Sequence, residues 1–217
     1  MINSLKAILK GRITNKPKSS RIEKIKKSLF KVELNWNPIV LYRDVEKDLI
    51  TRLNKTKSQE NTSQDKRKRP RPIYGNIKGS NYDLFENNIT LLEDFKKDLI
   101  KILRNFFESQ IYITESFFNI IQPIDGIGGG NHIHNHLHKV DKIPSLDIAE
   151  QKLSLVYYLS IGDQDTQDKG ILKFHNPNKD FLPEEGMIVI FPASRLHSVS
   201  YNGSKDRVVL VVNFYII

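Results

Sequence analysis

Residues 111–217 contain a series of short apolar segments, rich in β-branched and aromatic residues and bounded by Gly, Pro, Asn or Asp. Segments of this length and composition are typical of β-strands. Many short strands at such spacing favour a sandwich, a barrel or a jelly roll. The predicted strands are IYITESFFNII (111–121), KLSLVYYLSI (152–161), GILKFHN (170–176), GMIVIFP (186–192) and RVVLVVNFYII (207–217).

The chain before residue 110 predicts helices instead. Apolar residues recur at four-residue intervals within 44–56, as a helix requires. In 90–108, Thr90 and Glu93 form a Thr-x-x-Glu capping box that an apolar stripe follows. Residues 58–72 are almost free of apolar residues and predict a loop. We therefore expect a helical N-terminal layer and an all-β C-terminal half.

A run of alternating histidines lies between the first two predicted strands. The segment GGGNHIHNHLH (128–138) holds four of the six histidines of the chain: His132, His134, His136 and His138. Side chains of an extended segment alternate between two faces, so all four are predicted to point to one side. Imidazole binds zinc, iron, copper and nickel. A third ligand is expected from a distant strand, and the histidines left for that role are His175 and His197.

Arg207 begins the last predicted strand, which is otherwise apolar. A guanidinium in such surroundings needs an anionic partner. A salt bridge at the rim of the sheet would satisfy it, and so would the carboxylate of a substrate bound in bidentate fashion.

Five blocks of the C-terminal half, taken in order, resemble the Fe(II)/2-oxoglutarate-dependent oxygenases. That superfamily has His-x-(Asp/Glu/His), then a distal His, then Arg about ten residues later. The YYLS sequence is also similar to the prolyl-4-hydroxylase-type members. The blocks are NHIHNH (131–136), LSLVYYL (153–159), GILKFHNPN (170–178), FPASRLHSV (191–199) and RVVLVVN (207–213).

The resemblance implies a role for several residues of the blocks. Asn131 stands three residues before the first metal ligand, and the implied ligands are His134, His136 and His197, with His132 and His138 outside the set. Arg207 would clamp the distal carboxylate of 2-oxoglutarate. Tyr158 or Tyr157 would give the same cosubstrate a hydroxyl, and the implied pocket amides are Asn213 and Asn119.

Three residues depart from the family pattern. His136 stands where the usual triad has a carboxylate, which leaves one more positive charge at the metal. Leu155 replaces a frequent Gly, and Asn176 cannot act as an alternative carboxylate ligand. The acidic residues that follow the histidine run, in a segment predicted to be a loop, are Asp141, Asp147 and Glu150.

The resemblance implies a mainly β, α+β fold: a double-stranded β-helix (a cupin-like jelly roll) over about 111–217, with N-terminal helices packed on it. It implies a dioxygenase that uses Fe(II), 2-oxoglutarate and O₂ to hydroxylate a C–H bond. The substrate stays open between a protein, a nucleobase and a small molecule.

Two other functions stay open. One is a cupin-like dioxygenase with three histidines and no 2-oxoglutarate, which would not need Arg207. The other is a non-catalytic jelly-roll binding module whose basic front binds nucleic acid.

Charge divides the chain into a basic front and a mildly acidic body. Residues 1–80 hold 21 Lys and Arg against 7 Asp and Glu, although the whole chain carries only +9. We expect residues 1–30 to be a mobile basic segment and residues 31–217 to form one oxygenase domain. The front suits a solvated surface, or contact with an acidic or nucleic-acid partner.

Cysteine is absent, which excludes disulfides and thiolate metal ligands. No apolar run is long enough to span a bilayer, and MINSLKAILKGR lacks the apolar stretch of a secretory signal. We therefore expect a cytoplasmic protein with no membrane partner.

Overall fold

The computed structural model describes residues 37–55, 73–86, 90–123, 128–143, 148–163 and 170–217. The α-helices in these ranges are α1 (Lys47–Lys55) and α2 (Thr90–Phe107). The strands are β1 (Ile39–Tyr42), β2 (Ile73–Tyr74), β3 (Ile77–Gly79), β4 (Ile111–Ile121), β5 (Gly129–His134), β6 (Lys152–Ser160), β7 (Gly170–Phe174), β8 (Lys179–Phe181), β9 (Met187–Pro192), β10 (His197–Tyr201) and β11 (Arg207–Ile216).

The strands form two antiparallel sheets. The larger has six strands in the order β1-β9-β6-β11-β4-β3, and the smaller has five in the order β2-β5-β10-β7-β8. From β4 to β11 the chain changes sheet at every connection except that from β7 to β8. This alternation is the double-stranded β-helix, so the predicted jelly roll is confirmed.

The six-stranded sheet is buried on both faces. Leu210 and Val212 of β11 belong to the apolar cluster that includes the helices, while Val211 belongs to the cluster between the sheets. Because neither face meets water, β6 and β11 read as nearly continuous apolar runs.

The two described helices cover the outer face of the six-stranded sheet. The apolar stripe of α2 is buried there, as are Leu49 and Leu53 of α1. These helices lie within the two regions predicted from sequence, 44–56 and 90–108. No helix in the described ranges is long and apolar enough to cross a membrane.

The histidine run begins in β5. This strand ends at His134 and does not continue to His138 as one extended segment would. β5 pairs with β10, and His134 lies directly opposite His197 in that pairing. Beyond the strand, the amide of His136 donates a hydrogen bond to the carbonyl of Ala193 at 2.8 Å. This contact holds the continuation of β5 against the chain that leads into β10.

The basic front lies mostly outside the described residues. Residues 1–36 and 56–72 include the segment predicted as 1–30 and the predicted loop at 58–72. The domain boundary near residue 30 and the role of the front therefore stay predictions.

Candidate metal centre

Three histidines meet at one end of the space between the sheets. His134 closes β5, His136 follows two residues later, and His197 opens β10. One ring nitrogen from each lies within 4.8 Å of the other two. The Nε2 atoms of His136 and His197 are 3.1 Å apart. No other group of three His, Asp or Glu side chains comes together in this way in the described part of the chain.

Backbone carbonyls define the tautomer of two of these histidines. Nδ1 of His134 lies 2.7 Å from the carbonyl oxygen of His132, and Nδ1 of His197 lies 3.0 Å from that of Arg195. A carbonyl oxygen accepts and cannot donate, so both Nδ1 atoms carry the hydrogen. Each ring therefore keeps its Nε2 lone pair for a metal.

Burial keeps the three imidazoles neutral. It lowers the pKa of His197 to about 3, with the neighbouring His134 adding to the effect. It also lowers the pKa of His136 well below its usual value, assisted by His197 and His134, and lowers the pKa of His134. Neutral imidazoles with free lone pairs are the form that binds a divalent cation.

Of the acidic residues after the histidine run, the two that the structure describes do not join this cluster. Asp141 forms a buried ion pair with Lys152 at 2.8 Å and accepts a hydrogen bond from the hydroxyl of Tyr215. Both of its carboxylate oxygens are engaged, so it belongs to the wall of the fold. Glu150 is exposed, and Asp147 lies outside the described residues.

A cavity of about 290 Å³ extends from the histidines between the two sheets. Alternate residues of β4 and β11 line one wall, because side chains of a strand alternate between its faces. From β4 these are Glu115, Phe117, Asn119 and Ile121, and from β11 they are Arg207, Val209, Val211 and Asn213. Val156, Leu172 and Val199 make much of the remaining surface apolar.

Arg207 is only 1% exposed and lacks an anionic partner in the described structure. Its Nη1 donates a 3.5 Å hydrogen bond to the carbonyl of Ser200, but Nε and Nη2 have no acceptor. The hydroxyl of Tyr158 is buried without a partner as well, and the guanidinium carbon lies 5.4 Å from the centre of that ring. Burial raises the pKa of Tyr158 more than Arg207 lowers it, so the phenol keeps its proton and can donate.

Donors left without an acceptor in a buried site are unfavourable by about 1–3 kcal/mol each. A bound carboxylate would accept from both the guanidinium and the phenol. The donor set therefore fits the distal carboxylate of 2-oxoglutarate, and the three imidazoles fit a divalent metal.

The two tyrosines of YYLS face opposite ways. Tyr158 lines the cavity, whereas Tyr157 stacks on Phe95 and donates a hydrogen bond to the carbonyl of Asp44. Tyr157 therefore lies on the helix side of the sheet, and the structure does not bring it to the cavity. Of the two tyrosines expected as cosubstrate donors, position supports Tyr158 alone.

The remaining predicted residues divide by location. Asn119 and Asn213 line the cavity, and their role as pocket amides stays a prediction. His132 is exposed and lies against the ring of Tyr74, while Nε2 of His175 lies 2.9 Å from the hydroxyl of Ser198. Neither histidine lines the cavity.

Sequence reasoning missed Glu115. This residue is 5% exposed, lines the cavity and lies 2.7 Å from Nε2 of His138. The sequence did indicate this residue, because an acidic side chain in the middle of the apolar strand IYITESFFNII is rarely buried without partners.

Residues 122–215 match the family model described as the 2OG-Fe(II) oxygenase superfamily. The resemblance to this superfamily is confirmed. The matched region contains the three clustered histidines, Tyr158 and Arg207. Fe(II) and 2-oxoglutarate, the cofactors expected from the sequence, are those of this superfamily.

Several solved structures share the fold. HygX from Streptomyces hygroscopicus, with nickel and 2-oxoglutarate bound, is 11% identical, with a TM-score of 0.60 over 88% of this chain and 87% of its own. A prolyl hydroxylase from Trichoplax adhaerens, in complex with a hypoxia inducible factor peptide, is 13% identical, with a TM-score of 0.59 over 92% and 94%. An oxidoreductase of the 2OG-Fe(II) oxygenase family from Burkholderia pseudomallei is 14% identical, with a TM-score of 0.55 over 94% and 93%.

At these identities, the likeness shows the fold alone. A search of curated proteins found no match.

Proposed function

We propose that this protein is an Fe(II)- and 2-oxoglutarate-dependent dioxygenase that hydroxylates a C–H bond. One observation carries the proposal: three neutral imidazoles converge in the same cavity as a buried arginine whose Nε and Nη2 have no acceptor. A metal alone would explain the histidines, but it would leave the guanidinium without an anion. A dicarboxylic cosubstrate explains both.

In this proposal His134, His136 and His197 hold Fe(II) through their Nε2 atoms. Three protein ligands would leave coordination positions open for the cosubstrate and O₂. Bound in this way, the metal and cosubstrate supply the oxidising chemistry, while the protein orients the reactants and shields them.

Arg207 and Tyr158 orient the cosubstrate. The guanidinium offers Nε and Nη2 as two nearly parallel donors, which match the two oxygens of one carboxylate. Tyr158 adds a hydroxyl donor next to them. A distal carboxylate held there would leave the keto-acid end of the cosubstrate free to reach toward the histidines.

The apolar wall of the cavity supports the same function. Phe117, Val156 and Leu172 belong to the cavity lining, and most of the surface of the cavity is apolar. Excluding water strengthens the electrostatic contacts of a bound anion and limits side reactions.

The cupin-like dioxygenase without 2-oxoglutarate remains the second candidate. It is favoured by His136, since a third imidazole stands where the family triad usually has a carboxylate. It does not account for the free donors of Arg207.

The deciding experiment is anaerobic reconstitution of the full chain with Fe(II), followed by addition of 2-oxoglutarate and O₂. We expect succinate to form, and we expect His197→Ala to abolish it. A wild-type protein that binds Fe(II) but neither binds nor consumes 2-oxoglutarate would overturn the proposal in favour of the cupin-like enzyme.

A further inference from the structure

Glu115 is a buried carboxylate with defined partners at the cavity wall. Oε1 lies 2.7 Å from Nε2 of His138, and Oε2 accepts a 2.6 Å hydrogen bond from Nδ2 of Asn213. Three separate parts of the fold supply this group: β4, the segment after β5, and β11. Unlike Asp141, this carboxylate lines the cavity.

The β-sheet register places Glu115 at the far end of the cavity from Arg207. Asn213 pairs with Glu115 and Arg207 pairs with Ile121, so six residues of strand separate the two charges. That spacing corresponds to roughly 20 Å at about 3.3 Å per residue.

The histidine cluster lies toward the Glu115 end. The ring of His136 stacks on Phe117, with 6.4 Å between the ring centres, and Phe117 is two residues from Glu115 on the same face of β4.

Charge distinguishes this carboxylate from the rest of the lining. Glu115 and Arg207 are the two formally charged side chains, other than histidines, that line the cavity among the described residues. Lys152 and Asp141 form an ion pair with each other and together add no net charge. Glu115 is therefore the carboxylate among the described residues that line the cavity.

A divalent metal, a dianionic cosubstrate, Arg207 and Glu115 together carry no net charge. Replacing Glu115 by a neutral residue leaves one uncompensated positive charge in a buried site, where such a charge is expensive. The usual ligand set includes a carboxylate, and here His136 stands in its place. Glu115 lies where it can supply a negative charge from outside the ligand set.

We propose that Glu115 supplies, from outside the ligand set, the negative charge that a carboxylate ligand would give at the position of His136. This inference rests on the proposed function, because it needs a divalent metal at the three histidines. Glu115 acts as a positioning residue: it is not one of the three clustered histidines, and it stabilises the loaded site through its charge.

The ionised state of Glu115 agrees with this role. Burial raises the pKa of the carboxyl, but hydrogen bonds from His138 and Asn213 outweigh burial, and the pKa lies below its usual value.

The test separates charge from shape. Glu115→Gln keeps the length of the side chain and removes the charge, whereas Glu115→Asp keeps the charge and shortens the side chain. Binding of Mn(II) to the full chain is titrated through the electron paramagnetic resonance signal of free Mn(II), and thermal unfolding is recorded for each variant. We expect Glu115→Gln to weaken Mn(II) binding about tenfold or more, and Glu115→Asp to weaken it much less.

Binding of 2-oxoglutarate to the Mn(II) form is a second measurement, and for it we expect Glu115→Gln to have the opposite effect on affinity. Removing a negative charge should leave binding of the dianion unchanged or stronger in Glu115→Gln. A purely structural role would weaken both metal and cosubstrate binding, and it would make the shortened Asp variant at least as poor as the Gln variant.

Equal Mn(II) affinity for wild type and Glu115→Gln would overturn the inference while leaving the proposed function intact. A wild type that binds no Mn(II), or whose binding survives His197→Ala, would overturn the proposed function itself. If Glu115→Gln does not fold, the pair Glu115→Asp and Glu115→Asn makes the same comparison at matched length.

Discussion

At the scale of single residues, the cavity is defined by groups whose state depends on burial. Arg207 in water would be an ordinary solvated cation. At 1% exposure its Nε and Nη2 have lost water without gaining an acceptor, which is unfavourable unless an anion binds. His197 in water would titrate near neutral pH, but burial keeps it neutral. The chemical character of the site therefore follows from desolvation as much as from residue type.

Arg207→Lys should weaken 2-oxoglutarate binding to the Mn(II) form by about tenfold or more, corresponding to roughly 1.4 kcal/mol. Lysine keeps the positive charge but lacks the planar fork that meets both oxygens of a carboxylate. Calorimetric titration measures the effect. Arg195→Lys is the matched control, because Arg195 is also buried but does not line the cavity. Equal affinity in wild type and Arg207→Lys would remove the clamp from the proposed function.

The metal-free protein should lose stability as the pH falls below about 6.5. The pKa of His197 is lowered to about 3 in the folded chain, so the unfolded chain takes up a proton between these values while the folded chain does not. Stability therefore rises with pH across this window. Thermal unfolding from pH 7 to pH 4.5 measures the loss, and His197→Gln should reduce the slope. A slope that is the same in both proteins would contradict the shift.

At the scale of elements, the pairing of β5 with β10 creates the metal centre, because it sets His134 opposite His197. The two backbones approach closely at Gly130, where a Cβ would overlap the carbonyl of Val199. Glycine is needed there for close approach.

Gly130→Ala should push β5 away from β10 and weaken Mn(II) binding several-fold or more. Gly129→Ala is the milder control, because its Cβ would meet the Cγ2 methyl of Ile121 at 2.9 Å and the carbonyl oxygen of Tyr74 at 3.2 Å, both looser contacts than the overlap at Gly130. The measurement is the Mn(II) affinity of both variants alongside their thermal unfolding. Unchanged affinity in Gly130→Ala would show that the site does not depend on this approach.

At the scale of the whole molecule, the described site is built from the later part of the chain. The earliest described residue that lines the cavity is Ile73. The basic front contributes most of the positive charge of the protein, whereas the cavity carries one Arg and one Glu.

Deleting residues 1–20 should therefore leave Mn(II) and 2-oxoglutarate binding within about twofold of wild type. The deleted segment offers few apolar residues whose burial could compensate for the entropy of ordering it. Titration and thermal unfolding of the truncated chain check this. A large fall in unfolding temperature would mean that Ile2, Leu5, Ile8 and Leu9 dock on the domain.

Local sequence determined the elements and half of the metal site. Apolar segments bounded by turn residues predicted the strands, and the histidine run marked His134 and His136 as candidate ligands. His136 lies beyond the end of β5, so strand alternation alone does not place it. The five ordered blocks also predicted that His197 and Arg207 would come to the same site, through a resemblance and not through local pattern.

Tertiary structure alone decided the rest. Which of Tyr157 and Tyr158 faces the cavity depends on strand register, and β6 is buried on both faces, so its apolar pattern carries no signal of orientation. Glu115 acquires its role from His138 and Asn213, which are distant in sequence and reach it only when β4 pairs with β11. Long-range pairing of this kind is set by the packing of the whole chain, which no local segment encodes.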